Sequence, residues 1–305
     1  MRLVLLGLGL VGGSIARAIR SREGTGGPGP ENEQRSIVAW TPDGRGPRVA
    51  LQAGVIDVAA RSLEEAVDGA SLVILAAPPD ACLALLDDLA AGRLTARNRD
   101  LLVTDVASTK GAIVARAAEL GLPFVGGHPM AGRETSGFAA ADGSLFAGRP
   151  WVVVPAPSSP PGGVARVAAF AADCGAVPVV MDAAEHDAAV AAISHLPLVV
   201  AAALVEAIVG RGSDPGRPDW PAARALAATG WGSATRLARG DAEMAAGIAV
   251  TNGPAIAARI RVLEAMLADW RATIERGDRD ELRARFGAAR QRLEAAADED
   301  GAGQR

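Results

Sequence analysis

The segment GGHPMAGRE, Gly126 to Glu134, sets one of only three histidines in 305 residues between a glycine pair and an Arg-Glu pair. A neutral imidazole accepts a proton near pH 7, so His128 suits a general base that takes a hydroxyl proton while hydride leaves the same carbon. The residues alone leave a hydrogen-bonded loop histidine equally open. In DVASTKG, Ser108 and Thr109 follow an apolar run, where a hydroxyl either meets a ligand or caps the next helix. His195, in ISHLPLVVAA, interrupts an apolar helix just before a proline. A buried polar group left unpaired costs ~1–3 kcal/mol, so this ring needs a partner or a ligand. Arg236, in SATRLARGD, is either a solvated helix arginine or a clamp that holds a carboxylate through paired N–H bonds. His186, in AEHDAA, reads as a surface residue.

These groups need a framework that brings distant segments to one edge. GLGLVG supplies its first piece, with Gly7, Gly9 and Gly12 in the G-x-G-x-x-G pattern between an apolar run, Met1 to Leu6, and a helical stretch, Val11 to Arg20. The first glycine permits the tight turn, the second lets backbone approach a pyrophosphate, and the third lets helix pack on strand. Gly7, Gly9, Leu10, Val11 and Gly12, with Ala77 and Pro78 after a later apolar run, are the expected cofactor contacts. An acidic residue commonly ends the second strand of NAD-binding sites, but here Thr41 stands in that place, with Asp43, Arg45 and Arg48 nearby. Thr41 and Arg45 therefore join the cofactor residues, and the choice between NAD and NADP stays open.

Short apolar runs recur at Ser36 to Trp40, Leu72 to Ala76, Leu101 to Thr104, Pro123 to Val125, Trp151 to Pro155 and Val177 to Met181, separated by helical stretches such as Val164 to Asp173. Alternation of this kind predicts a parallel sheet with helices on both faces. Ser108 and His128 then both emerge at the carboxyl ends of strands, where open α/β sheets bind ligands. After Met181 the strand pattern stops. Asp182 and Glu185 mark a helix start, and nearly everything to Ala297 reads as helix, including a stripe of Ile256, Ile260, Leu263, Leu267, Trp270 and Ile274. The expected organisation is α/β followed by all-α: a Rossmann-type dinucleotide-binding domain over 1–181, a helical substrate and dimerisation domain over 182–297, and a mobile tail over 298–305. The Gly- and Pro-rich segment 22–35 reads as a solvated loop rather than a linker.

Composition excludes several classes. A net charge of −4 with scattered arginines lacks the basic stripe that nucleic acid requires. Cys82 and Cys174 sit in apolar helix-like surroundings and form neither a disulfide framework nor a metal cluster. MRLVLLGLGLVGGSIARA mimics a signal peptide, but a cleaved leader has no need of glycines at this spacing. The apolar run 188–209 is broken by Ser194, His195, Pro197 and Glu206, so it reads as a buried helix rather than a membrane span. The expectation is a cytoplasmic protein with no metal. One lysine, Lys110, stands against thirty arginines, an imbalance that reads as coding bias rather than chemistry.

Taken together, GLGLVGGS, DVASTKG, GGHPMAGRE, ISHLP and TRLA resemble the prephenate/arogenate dehydrogenase family of tyrosine biosynthesis, over about residues 1 to 275. The resemblance is to the short, monofunctional form and implies a homodimer through the helical domain. It implies oxidative decarboxylation of a cyclohexadienol: hydride passes from the hydroxyl-bearing ring carbon to a nicotinamide, and carbon dioxide leaves from the opposite carbon. On matching positions His128 is implied as base, Ser108 as the group orienting the ring hydroxyl, His195 as a substrate contact, Arg236 as the carboxylate partner and Glu134 as part of a polar network at the pocket mouth. Three positions depart from the family pattern. Arg133 stands where a small polar residue is frequent, Leu198 replaces a second histidine, and Ser233 holds a place that is often acidic. Arg133 and Ser233 therefore count as candidate substrate contacts, and the extra arginine points toward prephenate rather than arogenate. The rival classes are a β-hydroxyacid dehydrogenase or imine reductase and a dinucleotide-sensing protein without catalysis. The former rely on a lysine in the helical domain, which this chain lacks.

Overall fold

The computed structural model of the protein describes residues 1–24, 35–92, 100–133, 135–210 and 220–302. Most of the expected loop 22–35 and the candidate Glu134 lie outside the described residues. The strands are β1 (Arg2–Leu6), β2 (Ser36–Trp40), β3 (Val58–Ala59), β4 (Leu72–Leu75), β5 (Leu102–Asp105), β6 (Phe124–Pro129), β7 (Pro150–Pro155) and β8 (Val177–Val180). They form one sheet in the order β3-β2-β1-β4-β5-β6-β7-β8. Strand β1 lies between β2 and β4, so the winding direction reverses there, and the carboxyl ends of these strands open a crevice.

The apolar runs are near-continuous because both faces of the sheet are covered. Leu3 and Leu5 enter one core with Ile15, Ile37 and Trp151, while Val4 and Leu6 enter the other with Leu86, Val103 and Phe124. Two findings refine the expected sheet. Strand β7 runs antiparallel to β6, although the other pairings are parallel. A parallel return needs a helix-length crossover, and the described residues of the β6–β7 connection carry only a short 3-10 turn, Phe138–Ala140. Strand β3 has two residues, too few to leave a periodic trace in sequence.

The helices are α1 (Leu10–Gly24), α2 (Arg45–Gln52), α3 (Leu63–Val67), α4 (Pro79–Ala91), α5 (Gly111–Glu119), α6 (Gly163–Asp173), α7 (Ala183–Val190), α8 (Leu196–Val209), α9 (Trp220–Leu226), α10 (Thr229–Ala234), α11 (Ala242–Thr251), α12 (Gly253–Arg276) and α13 (Arg279–Ala302). As the Asp182/Glu185 pattern implies, Asp182 caps α7 by accepting from Glu185 N at 2.7 Å. A π-helical turn, Ala191–His195, joins α7 to α8. Pro197 falls in the first turn of α8, where its missing N–H costs nothing, and needs no kink.

The chain divides into two compact units, Met1–Ile256 and Ala257–Arg305. That division falls later than the change from strands to helices at residue 181, because α7 to α11 are joined to the α/β part by packing and by the hydrogen bonds described below. In the second unit, Trp270 stacks on Phe286 at 4.7 Å and carries the Arg285 guanidinium at 4.2 Å on its ring. Leu267 and Ile274 of the expected stripe are 58% and 59% exposed, whereas Ile256 is buried. Helix α13 continues to Ala302, into the segment expected to be a tail.

Candidate active site

A cleft of about 510 Å³ opens at the carboxyl ends of β1, β4 and β5. Gly9, Leu10, Val11, Ala77, Pro78, Ser108, Arg133, Ser194, Leu198, Arg236 and Met244 are among its walls. A second cleft, about 560 Å³, lies at the amino ends of β4 and β5 among Leu63, Glu64, Asp68, Asp88 and Leu101. Its described walls hold neither a histidine nor any part of the Gly7 to Gly12 turn, so the chemistry belongs to the first.

The glycine turn fits a dinucleotide on steric grounds. Gly7 has φ +106°, and a Cβ there would stand 2.2 Å from Ala76 O; at Gly12 a Cβ would meet Gly7 O at 2.4 Å. Gly9 has nothing within 4 Å of that position, which leaves open space for a phosphate against the backbone that begins α1. Gly7 N donates to Trp40 O at 2.9 Å, which fixes the turn beside Thr41. Asp43 is turned onto its own loop: its Oδ1 accepts from Thr41 Oγ1 at 3.0 Å and from Arg45 N at 3.1 Å.

His128 lies inside β6 rather than in a loop after it, paired with Val152 of β7 and buried. The glycines before it let neighbours close in. A Cβ on Gly127 would stand 2.5 Å from Asp105 O, and one on Gly126 would stand 3.2 Å from Lys110 Cδ. His128 Nδ1 lies 2.8 Å from His186 Nε2, and His186 Nδ1 lies 2.8 Å from Asp187 Oδ1. His186 is therefore a buried member of the site, not a surface residue. An isolated His-Asp pair at a helix start gives no sign of which face meets the sheet.

Asp187 also answers the question of the α5 cap. Neither Ser108 nor Thr109 caps α5; Asp187 Oδ1 and Oδ2 accept from Lys110 N and Gly111 N, each at 2.8 Å. Thr109 Oγ1 bonds Thr251 Oγ1 at 2.8 Å, and Ser108 is left to line the cleft. Lys110 is fully buried in an ion pair with Asp105. Asp105 also accepts from Ala107 N and Gly127 N, both at 3.0 Å.

His195 is buried next to Ser194 on the π-helical turn. Asn252 Nδ2 donates both to Asp187 O at 2.9 Å and to His195 Nδ1 at 3.1 Å. A carbonyl only accepts, so the amide orientation is fixed and His195 Nδ1 is an acceptor. The ring proton then sits on Nε2, which has no well-formed hydrogen bond among the described residues, with the Ser108 backbone close enough to act on the ring. A buried donor of this kind is available to a ligand.

The pKa values follow from burial. Burial, then the proximity of His186, Lys110 and His195, holds His128 well below its ordinary 6.5. Burial also takes His195 down to about 4, against the pull of Asp187. Burial raises Asp187, but bonds from His186, Gly111 N and Lys110 N more than offset it, and the net direction is down. Unfolded histidine binds a proton near pH 6.5 whereas folded His195 waits until about 4. Between those values the unfolded state holds more protons, so stability falls on acidification. Denaturant midpoints measured across this range should drop with pH, and His195→Gln should flatten the slope; an unchanged slope would remove His195 as its source.

The arrangement is a glycine turn, a serine and an arginine around one cleft, with a buried imidazole from β6 and another from the π-helical turn behind it. A model of the prephenate dehydrogenase nucleotide-binding domain matches residues 33–180, and one of the prephenate dehydrogenase dimerization domain matches 182–288. This chain belongs to the prephenate dehydrogenase family.

The prephenate dehydrogenase of Bacillus subtilis is 35% identical over 246 residues, covering 79% of this chain and 62% of that protein. The chain thus spans less than two thirds of that relative's length. Aquifex aeolicus prephenate dehydrogenase, solved with hydroxyphenyl propionate and NAD+, superposes with a TM-score of 0.82 at 26% identity over 96% of this chain and 98% of that one. Synechocystis arogenate dehydrogenase gives 0.73 at 27% identity, covering 98% and 99%.

Of the residues the family resemblance implied, Ser108, Arg133 and Arg236 line one cleft with Gly9, Leu10, Val11, Ala77 and Pro78. His128 and His195 stand behind it through the bonds above; Thr41 follows Trp40, whose carbonyl accepts from Gly7 N, and Arg45 is tied to Asp43, but neither is among the cleft residues. Ser233 is not brought to the cleft: it is exposed on α10 and is not among the cleft residues, because the chain turns at Thr235 before Arg236 reaches the wall. Arg133 is partly engaged, with its guanidinium 2.6 Å from Asp142 Oδ2. Sequence reasoning missed His186, Asp187, Lys110, Asp105 and Asn252. Their polarity in apolar contexts was visible, but most of the bonds that place them span 5 to 77 residues of chain.

Proposed function

We propose that the protein is an NAD(P)-dependent prephenate dehydrogenase that converts prephenate to 4-hydroxyphenylpyruvate and carbon dioxide. The observation that carries this reading is the convergence of Ser108, Arg236 and the glycine turn on one cleft, with the neutral rings of His128 and His195 behind it. A bound nicotinamide supplies the hydride acceptor. His128 takes the proton of the ring hydroxyl as hydride leaves the carbon that bears it. Loss of carbon dioxide from the opposite ring carbon pushes its electron pair into the ring, and the phenol oxygen recovers a proton. Aromatisation drives the step, so the protein's task is to orient the ring and exclude water. Ser108 orients the hydroxyl, the His195 Nε2–H donates to the substrate, and Arg236 binds a carboxylate.

The charged walls favour prephenate over arogenate. Arg133, which also pairs with Asp142, and Arg236 face the cleft, and among the described wall residues the one acidic side chain, Asp241, is engaged in capping α11 through Met244 N at 2.9 Å. Two carboxylates on the substrate match that balance better than an added ammonium does. The test is the rise in reduced-nicotinamide absorbance with prephenate or arogenate, each with NAD+ or NADP+. A higher kcat/KM for prephenate is expected, and no turnover of either would end the reading. Thr41 in place of a carboxylate and an Asp43 turned onto its own loop favour acceptance of NADP+ alongside NAD+.

Arg236→Ala should raise KM by ~10- to 100-fold, the loss of a charge-assisted bond of ~1.5–3 kcal/mol, with a smaller effect on kcat. Steady-state kinetics check it, and an unchanged KM would remove the assignment.

We further propose a homodimer through the helical part, with 1–181 serving the cofactor, 182–297 serving substrate and dimerisation, and 298–305 as a tail. Residues 183–209 form the one helical run among the described residues long and apolar enough to cross a membrane. That run carries His186, Asp187 and His195, which are bonded into the site, so a second copy covering Ile193 (70% exposed), Val200, Ile208 and Val209 is the better account. The free, buried thiols Cys82 and Cys174 support a cytoplasmic setting.

A further inference from the structure

We infer that Asp187 and His186 are positioning residues that fix which nitrogen of His128 is basic. This rests on the reading of His128 as the base and adds the means by which the chain prepares it. The reasoning starts from the carboxylate. Asp187 accepts at both oxygens from the backbone amides that begin α5, and it faces the positive end of that helix. An anion so held stays an acceptor, and His186 Nδ1 must donate to it. A neutral His186 then presents a bare Nε2, which accepts from His128 Nδ1–H. His128 is left with its lone pair on Nε2, the nitrogen free to take a substrate proton.

The edge-on geometry suits this role, with ring planes 75° apart and centroids separated by 5.1 Å. The chain also links the two sequence regions that the function requires. Asp187 and His186 come from α7, the α5 amides come from the loop that carries Ser108, and Asn252 joins Asp187 O to His195. The Asp187 carboxylate therefore positions the base and seats the Ser108 loop, while the backbone carbonyl of the same residue, through Asn252, sets the opposite tautomer on His195. Without Asp187, His186 has no fixed donor direction and His128 is free to carry its proton on Nε2, where it cannot act as base. A wrong tautomer behind intact geometry costs up to ~10⁴-fold in kcat in serine proteases.

The three histidines of the chain are all in this network, so a protein labelled with ¹⁵N-histidine shows only these rings. In the unliganded wild-type protein at neutral pH, two rings should be Nδ1–H tautomers, His128 and His186, and His195 should be Nε2–H. That measurement needs no substrate, so it stands even if the proposed activity fails. Finding His128 as Nε2–H, or His186 protonated on both nitrogens, would overturn the inference. Asp187→Asn keeps an oxygen for the α5 amides and should lower kcat ~100-fold or more, shift the His128 tautomer and leave the cofactor Kd unchanged. His186→Gln retains a donor toward Asp187 and an acceptor toward His128, and should keep far more kcat than His186→Leu. Equal impairment of those two variants would show that His186 does not act through its hydrogen bonds.

Discussion

His128→Asn is expected to lower kcat ~100-fold or more while the dissociation constants of NAD+ and NADP+ change little. The size follows from the role: a positioned general base contributes ~10²–10⁴-fold to proton transfer. Cofactor affinity should survive because its contacts come from the turn at Gly7 to Gly12 and from Ala77 and Pro78, while His128 sits in β6. Asparagine retains a polar group toward His186 Nε2 and leaves Gly127 N bonded to Asp105, so the strand should keep its pairing. Pre-steady-state kinetics with prephenate, alongside cofactor titration by tryptophan fluorescence, measure the two effects separately. Near-normal turnover would exclude His128 as the base. Lost cofactor binding would mean that the ring supports the turn instead. The low pKa of His128 adds a second expectation: the ring remains neutral through the physiological range, so protonation of this group should not limit activity until well below pH 6.5.

Lys110→Ala is expected to cost ~3–5 kcal/mol of unfolding free energy, the usual penalty for removing one partner of a buried ion pair. Against a typical total of ~5–15 kcal/mol, that is a large share of what holds a domain folded. The Asp105 carboxylate would remain with the amides of Ala107 and Gly127, both at 3.0 Å, and these bonds place the loss toward the lower end. The consequence reaches the site, since Gly127 immediately precedes His128 and shares Asp105 with the lysine. Denaturant unfolding with the slope held constant checks the magnitude. A change below ~1 kcal/mol would show that the pair contributes little, the ordinary result for a solvated ion pair. The double variant Lys110→Met with Asp105→Asn removes both charges, and it should recover part of the loss because no ion is left unpaired.

Much of this protein was readable before any coordinates. The spacing of Gly7, Gly9 and Gly12 carries its own steric reasons, and the structure shows each of them: a positive φ, an open approach and a contact with no room for a Cβ. Alternation of apolar runs with helical stretches implied the sheet because each strand must bury both faces, and Asp182 marked the start of α7 through a bond four residues in extent. Local rules of this kind act over a few residues, so they are written in the chain.

The polar network was not. The same histidine in AEHDAA is solvated or buried according to which side of α7 meets β6, and nothing within ten residues decides that. Lys110 is a lone basic residue until Asp105 closes on it, and Ser108 is a helix cap until Asp187, from 77 residues away along the chain from Lys110, takes that place. Ser233 and Arg236 are three apart, yet a turn between them leaves one on the cleft wall and the other in solvent. The direction of β7 likewise goes with what the described residues of the 130–149 connection lack, a crossover helix. Sequence determined the elements and the phosphate turn, because steric and periodic constraints are local. Tertiary structure decided which polar groups became partners, because desolvation leaves a buried charge or ring no option but the neighbour that folding delivers.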